Sequence, residues 1–261
     1  MTHVIRAELQ KLMRRPVLVA AGAGAGVFAA VAAAGVFLSA APDGPPAGRT
    51  ATLASLAEPG GGTEAFALGV SFAGLLVLVT FLTNFTGEIS RGTLRTLLLR
   101  EPRRLRLLAG KMTALLAFAA LVLAAAVALT WVASLAIAPS QGVPTSEWVT
   151  PGALADNLAD YGTALLTLGG WAFFGMALAV VLRSTAIALA VGVAWAGPLE
   201  HLTEDAWGAA DEWFPGLLLE ALAVGGSSTV PFGRAVLLTV VYGAAASALA
   251  AQLFRSRDVT A

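Results

Sequence analysis

A chain of 261 residues with 57% hydrophobic and 12% charged side chains carries about half the charge of a soluble domain. No single soluble core absorbs that much apolar surface, and the mean hydropathy of +0.80 points to lipid as the solvent for most of the chain. Sixteen basic residues balance sixteen acidic ones, and the lack of cysteine excludes disulfides, thiolate chemistry and Cys-based zinc sites.

Taken from the start, Thr2–Arg15 places Ile5, Leu9, Leu12 and Met13 at helical spacing, with Arg6, Glu8, Lys11 and Arg14 between them. Such a helix lies in the headgroup plane with its basic face toward anionic lipid; the alternative is the positive flank of a first span. Pro16 opens that span, Val17–Ala40, which meets the roughly 20 residues needed to cross an apolar core. Gly22, Gly24 and Gly26 inside it either permit a close helix contact or reflect only the Ala/Gly bias of the chain. A Pro- and Gly-rich loop, Pro42–Thr63, carries Asp43, Arg49 and Glu58 and leads to a second span, Glu64–Phe85. The segment Thr86–Lys111 follows with seven of the sixteen basic residues.

A third span covers Met112–Ala138. The loop Pro139–Asp160 has Glu147, Asp156 and Asp160 but no Lys or Arg, and Trp131 and Trp148 are expected to mark an interface as aromatic belts do. A fourth span, Tyr161–Leu182, turns at Arg183-Ser184 into a fifth, Thr185–Leu199, where Gly197-Pro198 is expected to kink or end the helix. From Leu199 to Glu220, the residues Leu202, Ala206, Ala209, Ala210, Trp213 and Leu217 are spaced as one apolar face, opposite Glu204, Asp205, Asp211 and Glu212. One or two short interfacial or re-entrant helices are expected there, broken at Pro215-Gly216. A sixth span, Phe232–Phe254, ends in a tail with Arg255, Arg257 and Asp258. The fold class is therefore all-α and polytopic, one transmembrane domain of six spans.

With both termini on the cytoplasmic side, the inner segments hold fourteen of the sixteen Lys and Arg residues, leaving Arg49 and Arg234 outside. The positive-inside rule selects this orientation. Twelve of the acidic residues then fall on the outer side.

Catalytic signatures are missing. Ala109-Gly110-Lys111-Met112 lacks the earlier glycine and the Ser/Thr of a phosphate-binding loop, so this chain is not expected to hydrolyse ATP in that way. Neither a GxSxG nor an HExxH string occurs, and His3 and His201 are the only histidines. An ion-coupled secondary transporter or channel, the alternative reading, needs a buried carboxylate or broken helix at mid-depth. Its one candidate is the break around Pro198, Glu200 and His201, which sits near the outer interface and reads rather as a helix end with polar caps.

The basic loop has internal order. Ile89, Leu94, Leu97 and Leu98 give a partial apolar face, Arg91 and Arg95 stand four apart on another, and Glu88 precedes Arg91 by three. Pro102 ends this helix, and Arg103, Arg104 and Arg106 lead into the third span. A short charged helix between two spans is suited to dock on a soluble partner and push both; alternatively it only anchors topology.

The run Glu88–Lys111, of the form E-x-x-x-G-T-L-R-x-L-L-x-x-x-P-x-R-x-x-x-x-x-G-K, resembles the loop before the third span in ABC-2-type transporter permeases. The matching positions are Glu88, Gly92, Thr93, Leu94, Arg95, Leu97, Leu98, Pro102, Arg104, Gly110 and Lys111. Glu8 and Lys11 before the first span look like that family's elbow helix, and Phe254–Asp258 is similar to its usual ending. The extra arginines at Arg103–Arg106 depart from the pattern. The resemblance implies a non-catalytic permease of the cell membrane that pairs with a second permease chain, identical or not, and exports substrate between the two. It also implies separate cytoplasmic ATPase subunits, which carry ATP and magnesium and touch a coupling helix around Glu88–Leu99. No cofactor on this chain and no nucleic-acid partner are expected.

Overall fold

A computed structural model describes residues 1–41 and 51–257, apart from the side chains of Ser71 and Asp205. The expectations for Asp43, Arg49 and Asp258 lie outside the described residues. The chain is all-α, with no strand among the described residues. Its helices are α1 (Thr2–Leu12), α2 (Arg15–Ser39), α3 (Leu53–Ala57), α4 (Gly61–Ser90), α5 (Thr93–Arg100), α6 (Arg104–Ile137), α7 (Pro151–Leu182), α8 (Thr185–Ala194), α9 (Glu200–Ala206), α10 (Pro215–Ala223) and α11 (Phe232–Ser256). Among the described residues six helical stretches are long and apolar enough to cross a membrane: Arg15–Ser39, Phe72–Ser90, Arg104–Gln141, Pro151–Leu182, Thr185–Glu204 and Phe232–Ser256. The protein is a multi-pass membrane protein, as the composition requires.

Several helices outrun the apolar runs that announce them. The loop expected over Pro139–Asp160 contains two short 3-10 turns, and from Pro151 it is already helical. The start signal is local: the Thr150 hydroxyl accepts from the Ala153 amide at 3.3 Å, and Pro151 follows as the first helical residue. Similarly α6 begins at Arg104, so Arg104 and Arg106 belong to the first turn of the helix rather than to a lead-in.

The residues group into two units, one of Met1–Met13, Ser71–Ala119 and Leu166–Ala261, the other of Arg14–Val70 and Ala120–Leu165. In the second unit, Trp148 is 2% exposed and packs with Phe37, Leu56 and Val143. Its indole N–H donates to the Leu56 carbonyl at 2.9 Å. Trp148 is thus a core residue and not part of an aromatic belt, because its one polar group finds a protein acceptor. A Cβ at Gly22, Gly24 or Gly26 would meet nothing within 4 Å, so these glycines mediate no close contact within the chain.

In the first unit, α4, α6 and α7 supply most of a core that includes Phe81, Phe85, Met112, Leu115, Met176 and Val180. The helix begun by α8 does not end at Pro198. It widens into one π turn, Trp195–Leu199, and continues as α9. A proline in a helix removes an amide and collides with the carbonyl one turn back, and a wider turn relieves both problems. The single amphipathic face expected over Leu199–Glu220 does not form. Leu202, Trp207 and Trp213 are exposed, whereas α10 is buried along almost its whole length. Breaks after Ala206 and at Phe214-Pro215 reset the helical phase, so spacing counted across them carries no information.

Candidate functional site

The chain has only two lysines, and both stand in one cluster. Lys111 in α6 is 3% exposed at its side chain, and its Nζ lies 2.7 Å from Glu88 Oε1 and 3.4 Å from Glu8 Oε2. Lys11 in α1 closes the ring at 2.7 Å from Glu8 Oε1 and 3.5 Å from Glu88 Oε1. The Phe85 ring centroid lies 5.4 Å from Lys111 Nζ, within reach of a cation–π attraction. A compact ammonium with three donors suits this multi-partner position in a way a planar guanidinium does not. Burial pulls the Lys11 amine down, but its hydrogen bond to Glu8 and the charges of Glu8 and Glu88 outweigh this, leaving it above the ordinary lysine value. Its contribution is therefore complete below about pH 10.5, the ordinary lysine value, and is lost only as pH rises through the higher folded value.

Three helices are locked by this ring. Glycine makes the approach feasible: a Cβ at Gly110 would stand 2.8 Å from Val4 Cγ1, so α1 rests on α6 where α6 has no side chain. Val4 then packs with Leu94 of α5 and Leu107 of α6, bordered by Ile89, Leu97, Leu98 and Phe254. His3 Nε2 lies 3.1 Å from Glu101 Oε2, joining α1 to the end of α5 as well.

The stretch Glu88–Leu99 is not one helix. α4 continues through Glu88 to Ser90, the chain turns at Arg91-Gly92, and α5 starts at Thr93. Gly92 has φ +70, a conformation that costs a glycine little and other residues more. Arg91 and Arg95 consequently do not share a helical face. Glu88 pairs with the lysines rather than with Arg91, whose Nε donates to the Gly87 carbonyl at 2.8 Å. The Thr93 hydroxyl donates to the Glu88 carbonyl at 3.3 Å. On α5, Leu94 is buried and Leu98 half-buried, while Arg95, Thr96, Leu99 and Arg100 are exposed. Leu99, at 86% exposed, was not singled out by its spacing because it falls off the Leu94–Leu97–Leu98 face.

Other motif positions are explained by capping. Pro102 follows the end of α5 and cannot continue it. Arg104 Nη1 donates to the carbonyls of Phe254, Arg255 and Arg257 at 3.4, 3.4 and 2.6 Å. Arg257 Nη1 in turn donates to Val180 and Val181 carbonyls at 3.1 and 2.7 Å, at the end of α7. Each guanidinium satisfies carbonyls that a helix end leaves without partners, where the helix dipole also favours a cation. The ring, the basic loop and the end of α11 thus belong to one neighbourhood of the first unit.

Elsewhere in that unit Glu200 is 1% exposed. Its Oε2 accepts from the Leu217 amide at 2.9 Å, in the first turn of α10. The helix that carries Glu200 does not end there, as the reading of a capped helix end expected; the carboxylate instead caps α10. We expect Glu200→Ala to cost about 1–2 kcal/mol of stability and Glu200→Gln much less, measured by thermal unfolding in detergent; equal losses would remove the capping role.

No group of three or more metal-ligating side chains occurs among the described residues. No curated protein matches the chain. Residues 46–193, which include α5 and the Glu88 and Lys111 side of the ring, match the model of DUF2705, a protein family of unknown function. That match covers more than half of the chain, which therefore belongs to the DUF2705 family.

Proposed function

We propose that this chain is the permease subunit of an ATP-driven exporter of the ABC-2 type. In this reading it lies in the cell membrane with both termini and α5 on the cytoplasmic side. It pairs with a second permease chain to form the substrate path. Separate ATPase subunits bind ATP and magnesium, and this chain is itself not an enzyme. The carrying observation is the lever built around α5: an exposed face of Arg95, Thr96, Leu99 and Arg100, tied through Leu94 and the Lys–Glu ring to the ends of α4 and α6. A force on that face reaches two membrane-length helices without passing through a flexible loop. The motif Glu88–Lys111 supports the reading independently.

The test is co-purification of the intact protein in mild detergent with mass spectrometry of its partners. The variant matters. Charge reversal at Glu88 would break the ring and confound docking with folding, so Leu99→Asp, at the exposed apolar position of that face, is the better probe. We expect recovery of a soluble ATPase with the native chain and at least about a tenfold loss with the variant, at unchanged thermal stability. Recovery of no ATPase, under conditions that hold a control complex together, would overturn the proposal.

A further inference from the structure

A cavity of about 520 Å³ opens beside the ring, lined by Glu8, Lys11 and Leu12 of α1, Asn84, Glu88 and Arg91 at the end of α4, and Thr93, Thr96 and Leu97 of α5. Its size is that of a small-ligand site. The ring contributes no net charge, since Glu8 and Glu88 balance Lys11 and Lys111. Arg91 is the one charged residue of the lining that stands outside the ring.

That guanidinium is seated. Arg91 Nε donates to the Gly87 carbonyl, and a Cβ at Gly87 would lie 2.9 Å from Arg91 Nη2, so the group folds back flat over a residue with no side chain. It comes to rest three residues, about 4.5 Å along the helix axis, from Asn84. Asn84 Oδ1 is buried and has no hydrogen-bond partner, a costly arrangement unless a donor arrives. Thus one positive fork and one acceptor in need of a donor stand on adjacent turns of the same helix. Both residues line a cavity where an apolar span, Phe72–Ser90, gives way to a charged loop.

We propose that this cleft binds the headgroup of a phosphatidylglycerol-type lipid. The singly charged phosphodiester pairs with Arg91 and the outward N–H of Lys11, and a glycerol hydroxyl hydrogen-bonds the Asn84 side-chain amide, which turns to meet it. An ethanolamine or choline head fits less well. Its phosphodiester is offset by its own cation, and both glutamates that would receive that cation already hold lysines. Depth selects a lipid over a soluble phosphodiester, because Leu12 and Leu97 form an apolar wall that acyl chains cover and water does not.

The test uses the full chain alone, delipidated in neutral detergent, and so stands apart from the search for an ATPase. Thermal stability is followed against short-chain dihexanoyl phosphatidylglycerol, dihexanoyl phosphatidylethanolamine, and soluble glycerophosphoglycerol. A ligand that binds only the folded state raises the midpoint with concentration. We expect saturable stabilisation by the phosphatidylglycerol, at least about tenfold weaker apparent affinity in Arg91→Gln, and little effect of the other two compounds. Asn84→Leu is a second variant that removes an unsatisfied polar atom, so its ligand-free midpoint should be equal or higher while its response to the lipid falls. An equal response to the ethanolamine lipid, an equal response to the soluble headgroup, or a full response in both variants would each overturn the assignment.

Discussion

Replacing Lys111 with methionine is expected to lower unfolding stability by about 3–5 kcal/mol. The ammonium is 3% exposed at its side chain and lies between Glu8 and Glu88. Methionine fills a similar volume, so packing is largely preserved, and the loss comes from charge. Two carboxylates remain close together with only Lys11 to balance them. A buried ion pair contributes little net stability when intact, because desolvation offsets attraction, but removing one partner leaves the other uncompensated. The second variant follows from the same reasoning. Adding Glu88→Gln to Lys111→Met removes the surplus charge and should recover at least about half of the loss, a coupling readable as a double-mutant cycle. Chemical or thermal unfolding in detergent measures both. A loss below about 1 kcal/mol in the single variant would mean that the ring is solvated and that α1 is not held by it.

The second large effect is expected at Gly175 in α7. A Cβ there would stand 2.7 Å from the Leu78 carbonyl oxygen and 3.3 Å from Leu78 C and Cα. These are backbone atoms of α4, so no side chain can rotate away and the two helices must separate. Leu78 is itself fully buried, and the core around Phe81, Leu82, Met176 and Ala179 depends on that separation. Close backbone approach over small residues is a principal source of helix association in lipid, where no hydrophobic drive pulls helices together. We expect Gly175→Val to cost about 3 kcal/mol, at the upper end of overpacking effects. Gly169→Ala in the same helix is the control: a Cβ there meets nothing within 4 Å, and the change should stay within about 0.5 kcal/mol or stabilise slightly. If both variants melt alike, Gly175 is not a contact point.

Much of the architecture was legible because membrane spans are local objects. In lipid every backbone group is satisfied within its own helix, so an apolar run of sufficient length is enough to identify a span. The six runs centred near 28, 75, 125, 170, 190 and 243 each coincide with a helix, and Pro102 ends α5 as its chemistry requires. What was misread was also local in origin. Thr150-Pro151 is a start signal, but the acidic residues after it made the segment look like a loop. Gly92 was counted as a motif letter, although its positive φ divides the expected helix over Glu88–Leu99 in two.

The amino-acid sequence by itself determined the solvent of this protein, the number of apolar crossings, and which segment concentrates basic charge, since each depends only on composition along a short window. It also supplied every member of the ring: Glu8, Lys11, Glu88 and Lys111 were all candidates, assigned to two unrelated elements. Only the tertiary structure brought them within one another's reach across separations of 77 and 103 residues. It alone turned Trp148 inward, placed Glu200 at the start of α10, and left the Asn84 oxygen buried without a donor. Periodicity states which residues share a face. Which faces meet is decided by close packing, where a missing Cβ at Gly110 or Gly175 sets how near two helices can come.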